Sequence, residues 1–160
     1  MLFWFVGTSV VAVWFVFTDP RFDYRLLIVG ALLPAVVDGL RGSLGVVHSV
    51  TFSVGLLAVL MLATHGRRPI RSTLLGLPVV TLLHLVFTGA WTQSEGFWWP
   101  FLGTDLGEVP TLVASRGWWN VPLELVGIAL CVWIVRAARL ADPGRRRDFL
   151  RTGRLALPRR

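Results

Sequence analysis

Five apolar stretches, separated by arginine clusters and turn residues, take up most of the 160-residue chain. A hydrocarbon core about 30 Å thick is crossed by about 20 apolar residues in a helix. With no water to satisfy backbone N–H and C=O groups there, such a stretch has to satisfy them internally, which favours helix. Residues 2–17 (LFWFVGTSVVAVWFVF) carry no charge and stop at Thr18-Asp19-Pro20. No basic segment precedes them and no small-x-small cleavage pattern follows, so they read as a retained helix rather than a removed signal peptide. Residues 26–37 are fewer, contain Pro34 and end at Asp38-Gly39; a kinked or re-entrant helix fits them as well as a clean crossing. Residues 44–64 have His48 as their one strongly polar ring, and residues 73–91 have His84 as their one ionisable group. Residues 121–140 begin with Pro122 in the first turn and end before Asp142-Pro143-Gly144, which reads as a stop signal. The 54% hydrophobic content and mean hydropathy of +0.66 exceed those of an ordinary soluble domain. The expected fold is therefore all-α: a polytopic integral membrane bundle of about five spans over residues 1–141, the second short and open to a re-entrant form, followed by an Arg-rich cytoplasmic tail, residues 142–160.

The net charge of +7 comes from sixteen basic residues, every one of them arginine, gathered in a few clusters. That pattern speaks for topology rather than for a nucleic-acid partner. Cytoplasmic loops hold the excess of basic residues. With the C-terminus inside, fourteen arginines fall on the cytoplasmic side and only Arg41 and Arg116 outside. The expected localisation is the cell (plasma) membrane, multi-pass, with the C-terminus in the cytoplasm and the N-terminus outside. A re-entrant second segment would move the N-terminus inside and leave the last three spans unchanged. Residues 92–120 then form an outer loop rich in aromatic rings, Phe97-Trp98-Trp99-Pro100-Phe101 and Trp118-Trp119, which suit the headgroup level as anchors or as a lipid-reading surface. The single cysteine, Cys131, excludes a disulfide within the chain and a Cys-based zinc site. Walker, Gly-rich phosphate-loop and Gly-x-Ser-x-Gly patterns are absent.

Ionisable groups inside spans are costly and commonly face a bundle interior or a wet cavity. By helical rise, His84 lies about 10 Å and His48 about 6 Å below the outer surface. Asp38 ends the second segment on that side and Glu124 sits in the first turns of the last span. His84, Thr88 and Trp91 share a stripe at helical spacing. Each imidazole alone is commonly satisfied by an interhelical hydrogen bond, and Glu124 would also complement a helix N-terminus. Taken together, two histidines and a carboxylate suit zinc or another divalent metal, with Asp38, His48 and His84 as ligands. An open fourth position lowers the pKa of bound water toward neutrality.

The same residues carry a likeness to a known family. Gly30-Ala-Leu-Leu-Pro34-Ala35-Val-Val-Asp38, His48-Ser49, His84-Leu-Val-Phe-Thr88 and Trp99-Pro100-Phe101 resemble, in order and spacing, the blocks of the bacterial membrane-bound metal-dependent hydrolase family. The likeness covers residues 26–103. Two departures stand out: Ala35 replaces the carboxylate of the Leu-Pro-Asp block, and Thr88 replaces that of the His-x-x-x-Asp block. Both remove anionic oxygen ligands. The resemblance implies a hydrolase-like membrane protein with a degenerate metal site.

Two functions compete. In the enzymatic one, a metal-assisted hydrolase acts on a lipid-like substrate at the outer side. Asp38, His48 and His84 hold the metal, Glu124 or Asp38 serves as catalytic carboxylate, and Arg41, Thr88 and Trp91 face the substrate. In the other, the chain is a non-catalytic accessory or scaffold for a membrane-protein partner, with Gly and Ser along residues 44–64 allowing close helix contact. Either is compatible with a tail in which Arg145, Arg146, Arg147, Arg151 and Arg154 meet anionic headgroups, and Leu150, Leu155 and Leu157 allow a short interfacial helix.

Overall fold

The computed structural model describes residues 1–17, 22–41, 45–104 and 116–157. Every regular element among them is helical: α1 (Leu2–Val16), α2 (Tyr24–Arg41), α3 (Val50–Ala63), α4 (Arg68–Leu74), α5 (Gly76–Thr88), α6 (Ser94–Phe97), α7 (Asn120–Ala137) and α8 (Pro143–Thr152), with short 3₁₀ turns at Val46–His48, Ala90–Thr92 and Gly117–Trp119. Among the described residues one helical stretch, Gly117–Ala137, is long and apolar enough to cross a membrane; α1, α3 and α5 are apolar but shorter.

The second apolar segment forms a continuous 18-residue helix in spite of Pro34. The third is shorter than its 21 apolar residues suggest. Ser49 is extended and its Oγ accepts the Phe52 N–H at 3.0 Å, so the helix starts at Val50 and His48 lies ahead of it in a 3₁₀ turn. The fourth segment breaks at Leu75 because Pro78, in the first turn of α5, has no N–H to continue the ladder from α4.

α1 lies at the centre of the packing, with α7 on one flank and α2 and α5 on the other; α3 packs on α5. The starts of α1 and α7 meet, so those two helices run in parallel: both Glu124 carboxylate oxygens accept backbone N–H groups from the first turn of α1, Phe3 and Trp4, each at 3.2 Å. α2 and α5 run in the opposite sense, with the side chain of Trp4 donating to the Phe87 carbonyl at the far end of α5. Within the fold Gly55 takes no part in close helix contact, since a Cβ added there would meet nothing within 4 Å. Close contact uses Gly7 and Gly127: a Cβ on Gly127 would overlap the backbone of Phe3 and Trp4, and one on Gly7 would come within 2.9 Å of the Gly127 carbonyl. The buried core joins Phe5, Val10 and Val13 of α1 with Leu27 and Ala31 of α2, Val80 of α5 and Ile134 of α7.

The Arg-rich C-terminal segment folds back on the bundle. Asp142-Pro143-Gly144 ends one helix and starts another: the Asp142 carboxylate accepts the Gly144 N–H at 3.0 Å and opens α8. Arg25 grips Asp23 with two parallel hydrogen bonds, at 3.0 and 2.6 Å, and its Nη1 also donates to the Leu150 carbonyl at 2.8 Å in the last turn of α8. Hydrogen bonds from Arg25 hold the Asp23 carboxyl below the usual carboxylate range. The Tyr24 N–H donates to the Gly153 carbonyl at 2.8 Å. Gly153 ends α8 at φ 70°, and any side chain there would collide with the Asp23 carboxylate. Phe149 and Leu155 pack on the core beside it.

Candidate functional site

Pro34 has no N–H to donate to the Gly30 carbonyl. The neighbouring Ala31 carbonyl lies 2.8 Å from Nδ1 of His84 on α5. A carbonyl only accepts, so the His84 proton sits on Nδ1 and Nε2 carries the lone pair. Nε2 is buried and meets no hydrogen-bond partner among the described residues. The His84 ring packs on Phe5, centroids 4.1 Å apart, and meets the edge of the His48 ring at 5.0 Å.

His48 turns its Nδ1 toward Asp38, 2.5 Å from Oδ2. The approach is close but out of line with a regular hydrogen bond, so neither atom has one there. A carboxylate at that distance still favours the proton on Nδ1. Oδ1 of Asp38 accepts the Gly45 N–H at 2.9 Å. Asp38, His48 and His84 thus form a chain of contacts drawn from α2, a 3₁₀ turn and α5, and they are only 2%, 5% and 0% exposed.

The sequence-derived residues divide on this geometry. Asp38, His48 and His84 come together, with Asp38 behind His48 as an orienting group rather than as a free ligand. Thr88 is buried, and its Oγ1 donates to the His84 and Leu85 carbonyls of its own helix. Trp91 leaves the His84–Thr88 stripe because Gly89, at φ 66°, ends α5; its ring is 54% exposed. Glu124 is engaged by the start of α1. Arg41 is the last residue of α2, and its side chain lies outside the described residues. Ala35 packs on the core.

Two residues of this region carry roles that hydropathy does not disclose. Arg116 donates through Nη2 to the Thr88 carbonyl and so closes the C-terminal end of α5, where a cation also suits the helix dipole. Thr51 donates to the Trp99 carbonyl at 2.5 Å and ties the aromatic loop to α3. Ser49 had a legible signal, a hydroxyl residue just ahead of an apolar run.

Metal-binding histidines characteristically hold the second ring nitrogen on a carboxylate or a backbone carbonyl, which fixes the tautomer and aims the other nitrogen. Both arrangements occur here, Asp38 for His48 and the Ala31 carbonyl for His84. The two imidazoles fit a borderline metal such as zinc. Among the described residues, however, no three His, Cys, Asp or Glu side chains are grouped to hold a metal ion. Asp38 gives Oδ1 to the Gly45 N–H and sets Oδ2 against the His48 ring, and positions 35 and 88 offer a methyl group and a hydroxyl turned back on its helix. The donor set is therefore two imidazoles without a free anionic ligand, and it does not complete the three-ligand centre that metal-assisted hydrolysis uses. No protein-family model, curated protein or solved structure matches the chain.

Proposed function

We propose that the chain is a multi-pass helical membrane protein on a hydrolase-like scaffold, with a degenerate metal centre at Asp38–His48–His84. The observation that carries this is the hold of His84 Nδ1 on the Ala31 carbonyl beside the 2.5 Å approach of His48 Nδ1 to Asp38, with His84 Nε2 left buried and without a hydrogen-bond partner among the described residues. An orphaned buried acceptor costs free energy unless something meets it, and zinc or another divalent ion bound by the two imidazoles would do so weakly. In its enzymatic form the site acts on a lipid-like substrate at the outer side. The accessory form, a non-catalytic partner for another membrane protein, is favoured by the engagement of Asp38, Thr88 and Glu124 in contacts within the fold.

Zinc titration of the purified protein in detergent is expected to raise the thermal midpoint by a few degrees, reversed by chelator, with no such rise in His84→Ala. Zinc-dependent cleavage of an ester-linked lipid analogue, lost in His84→Ala, would establish the enzymatic form; zinc binding without cleavage favours the accessory one. Equal midpoints with zinc and with chelator in the unaltered chain would remove the metal centre.

The membrane reading draws support from α7 and α3, whose outward faces are apolar. Leu125, Val126, Val132, Val135, Val59 and Leu62 are all exposed, a surface suited to acyl chains rather than water. Trp118 and Trp119, 88% and 76% exposed at the start of the longest apolar stretch, suit the outer headgroup level. On this reading α1, α2, α3, α4 with α5, and α7 make five passes, with α8 and the arginines around it in the cytoplasm. A cytoplasm-dependent reporter fused after residue 160 is expected to be active. Activity of a periplasm-dependent reporter there would reverse the orientation.

A further inference from the structure

The arginines of α8 do not dangle. They are displayed on a helix fixed to the end of the bundle by Arg25, Asp23 and the Gly153 carbonyl. Phe149 faces the core. At helical spacing, Arg147 and Arg151 fall on the side away from Phe149, and Leu150 lies one turn beyond Arg146 and Arg147. All four are exposed, Leu150 to 62%. Leu150 thus shares one exposed face with three arginines. This is the arrangement of a helix lying in a bilayer interface, with the apolar group among acyl chains and the guanidinium groups at phosphates. Position agrees: α8 starts six residues after α7 ends, at the level where α7 would leave the bilayer. Charge agrees too. Asp142 is engaged at the helix start, and Asp148 is the one acidic residue within α8.

We infer that α8 is a lipid-binding foot, in which Leu150 enters the bilayer surface while Arg146, Arg147 and Arg151 bind anionic phospholipid headgroups. Arginine suits this role because its planar fork takes two phosphate oxygens at once. The fixed attachment matters as well, since a helix already ordered loses little freedom on meeting lipid. The inference rests on the membrane reading of the bundle, and not on which face of the membrane holds the C-terminus.

The test uses the full chain, as Leu150→Cys in a Cys131→Ser background, with an environment-sensitive fluorophore at position 150, in nanodiscs of phosphatidylglycerol or phosphatidylcholine. In phosphatidylglycerol the label is expected to emit further to the blue and to be quenched by acrylamide about threefold less efficiently, an effect reduced by high salt. Combining Arg146→Gln, Arg147→Gln and Arg151→Gln should abolish the difference. Equal, water-like emission in both lipids would overturn the inference. Protection in both lipids, indifferent to the three substitutions, would overturn headgroup recognition and leave an apolar contact only. Hydrogen exchange of α8 in the unsubstituted chain repeats the comparison without a label: slower exchange in phosphatidylglycerol is expected, and equal exchange counts against the foot. Nanodiscs carry the same lipid on both faces, so a reversed topology would appear in the fusion reporter and leave this result unchanged. A chain that fails to enter nanodiscs at all would fail the membrane reading itself.

Discussion

Replacing Gly127 with alanine is expected to destabilise the bundle by about 1–3 kcal/mol, and replacing it with leucine to separate α1 from α7. The reason is local and steric. The first added carbon would overlap the backbone of Phe3 and Trp4, and a backbone cannot swing aside as the tip of a side chain can. Separating the helices would also pull Glu124 from the amides of Phe3 and Trp4, leaving a carboxylate and two N–H groups without their partners. Thermal unfolding in detergent measures the effect, with Gly55→Ala as the matched control. Position 55 has open space around it, and alanine there is expected to be neutral or slightly stabilising through helix propensity. Equal midpoints for Gly127→Leu and the parent chain would refute the close crossing.

Asp38→Ala is expected to cost about 1–3 kcal/mol, the scale for leaving buried polar groups without their partner. Asp38 is 2% exposed and serves two groups at once, the Gly45 N–H and the His48 ring. Asp38→Asn keeps an oxygen for Gly45 and should lose much less stability. Zinc binding should separate the two roles. The asparagine variant is expected to fold yet bind zinc more weakly, because a neutral amide orients His48 without raising its basicity. Unfolding and zinc titration in detergent give both readouts. Asparagine as damaging as alanine would show that charge, not the Gly45 hydrogen bond, dominates at this position.

Hydropathy located the helices well because burial in lipid or protein demands runs of apolar residues, and each of the five runs in this chain contains a helix. Their ends were harder to read. His48 falls outside α3 because one hydroxyl, on Ser49, outweighs the apolar run around it, and Trp91 leaves its stripe because Gly89 turns left-handed. Local chemistry of that kind competes with periodicity over single residues. Depth along the expected spans put His48, His84, Asp38 and Glu124 at one level; the first three do meet, and Glu124 goes to the start of α1 instead. The division of labour among the three was not legible, because the Ala31 carbonyl that holds His84 belongs to the backbone and carries no residue-type signal. Glu124 illustrates the same limit. A carboxylate near a helix start complements a dipole, but sequence could not say that the dipole belonged to α1 instead of to its own helix.

The Glu124 contact also bears on the order of assembly. The amides it receives belong to α1, yet the carboxylate is supplied some 120 residues later in the chain. Until α7 is made, those amides have to find another acceptor, because a buried N–H left unmet costs free energy. The packing of α1 is therefore completed late, when α7 brings Gly127 and Glu124 against it together. The outermost flank of the finished bundle is, in time, its closing piece.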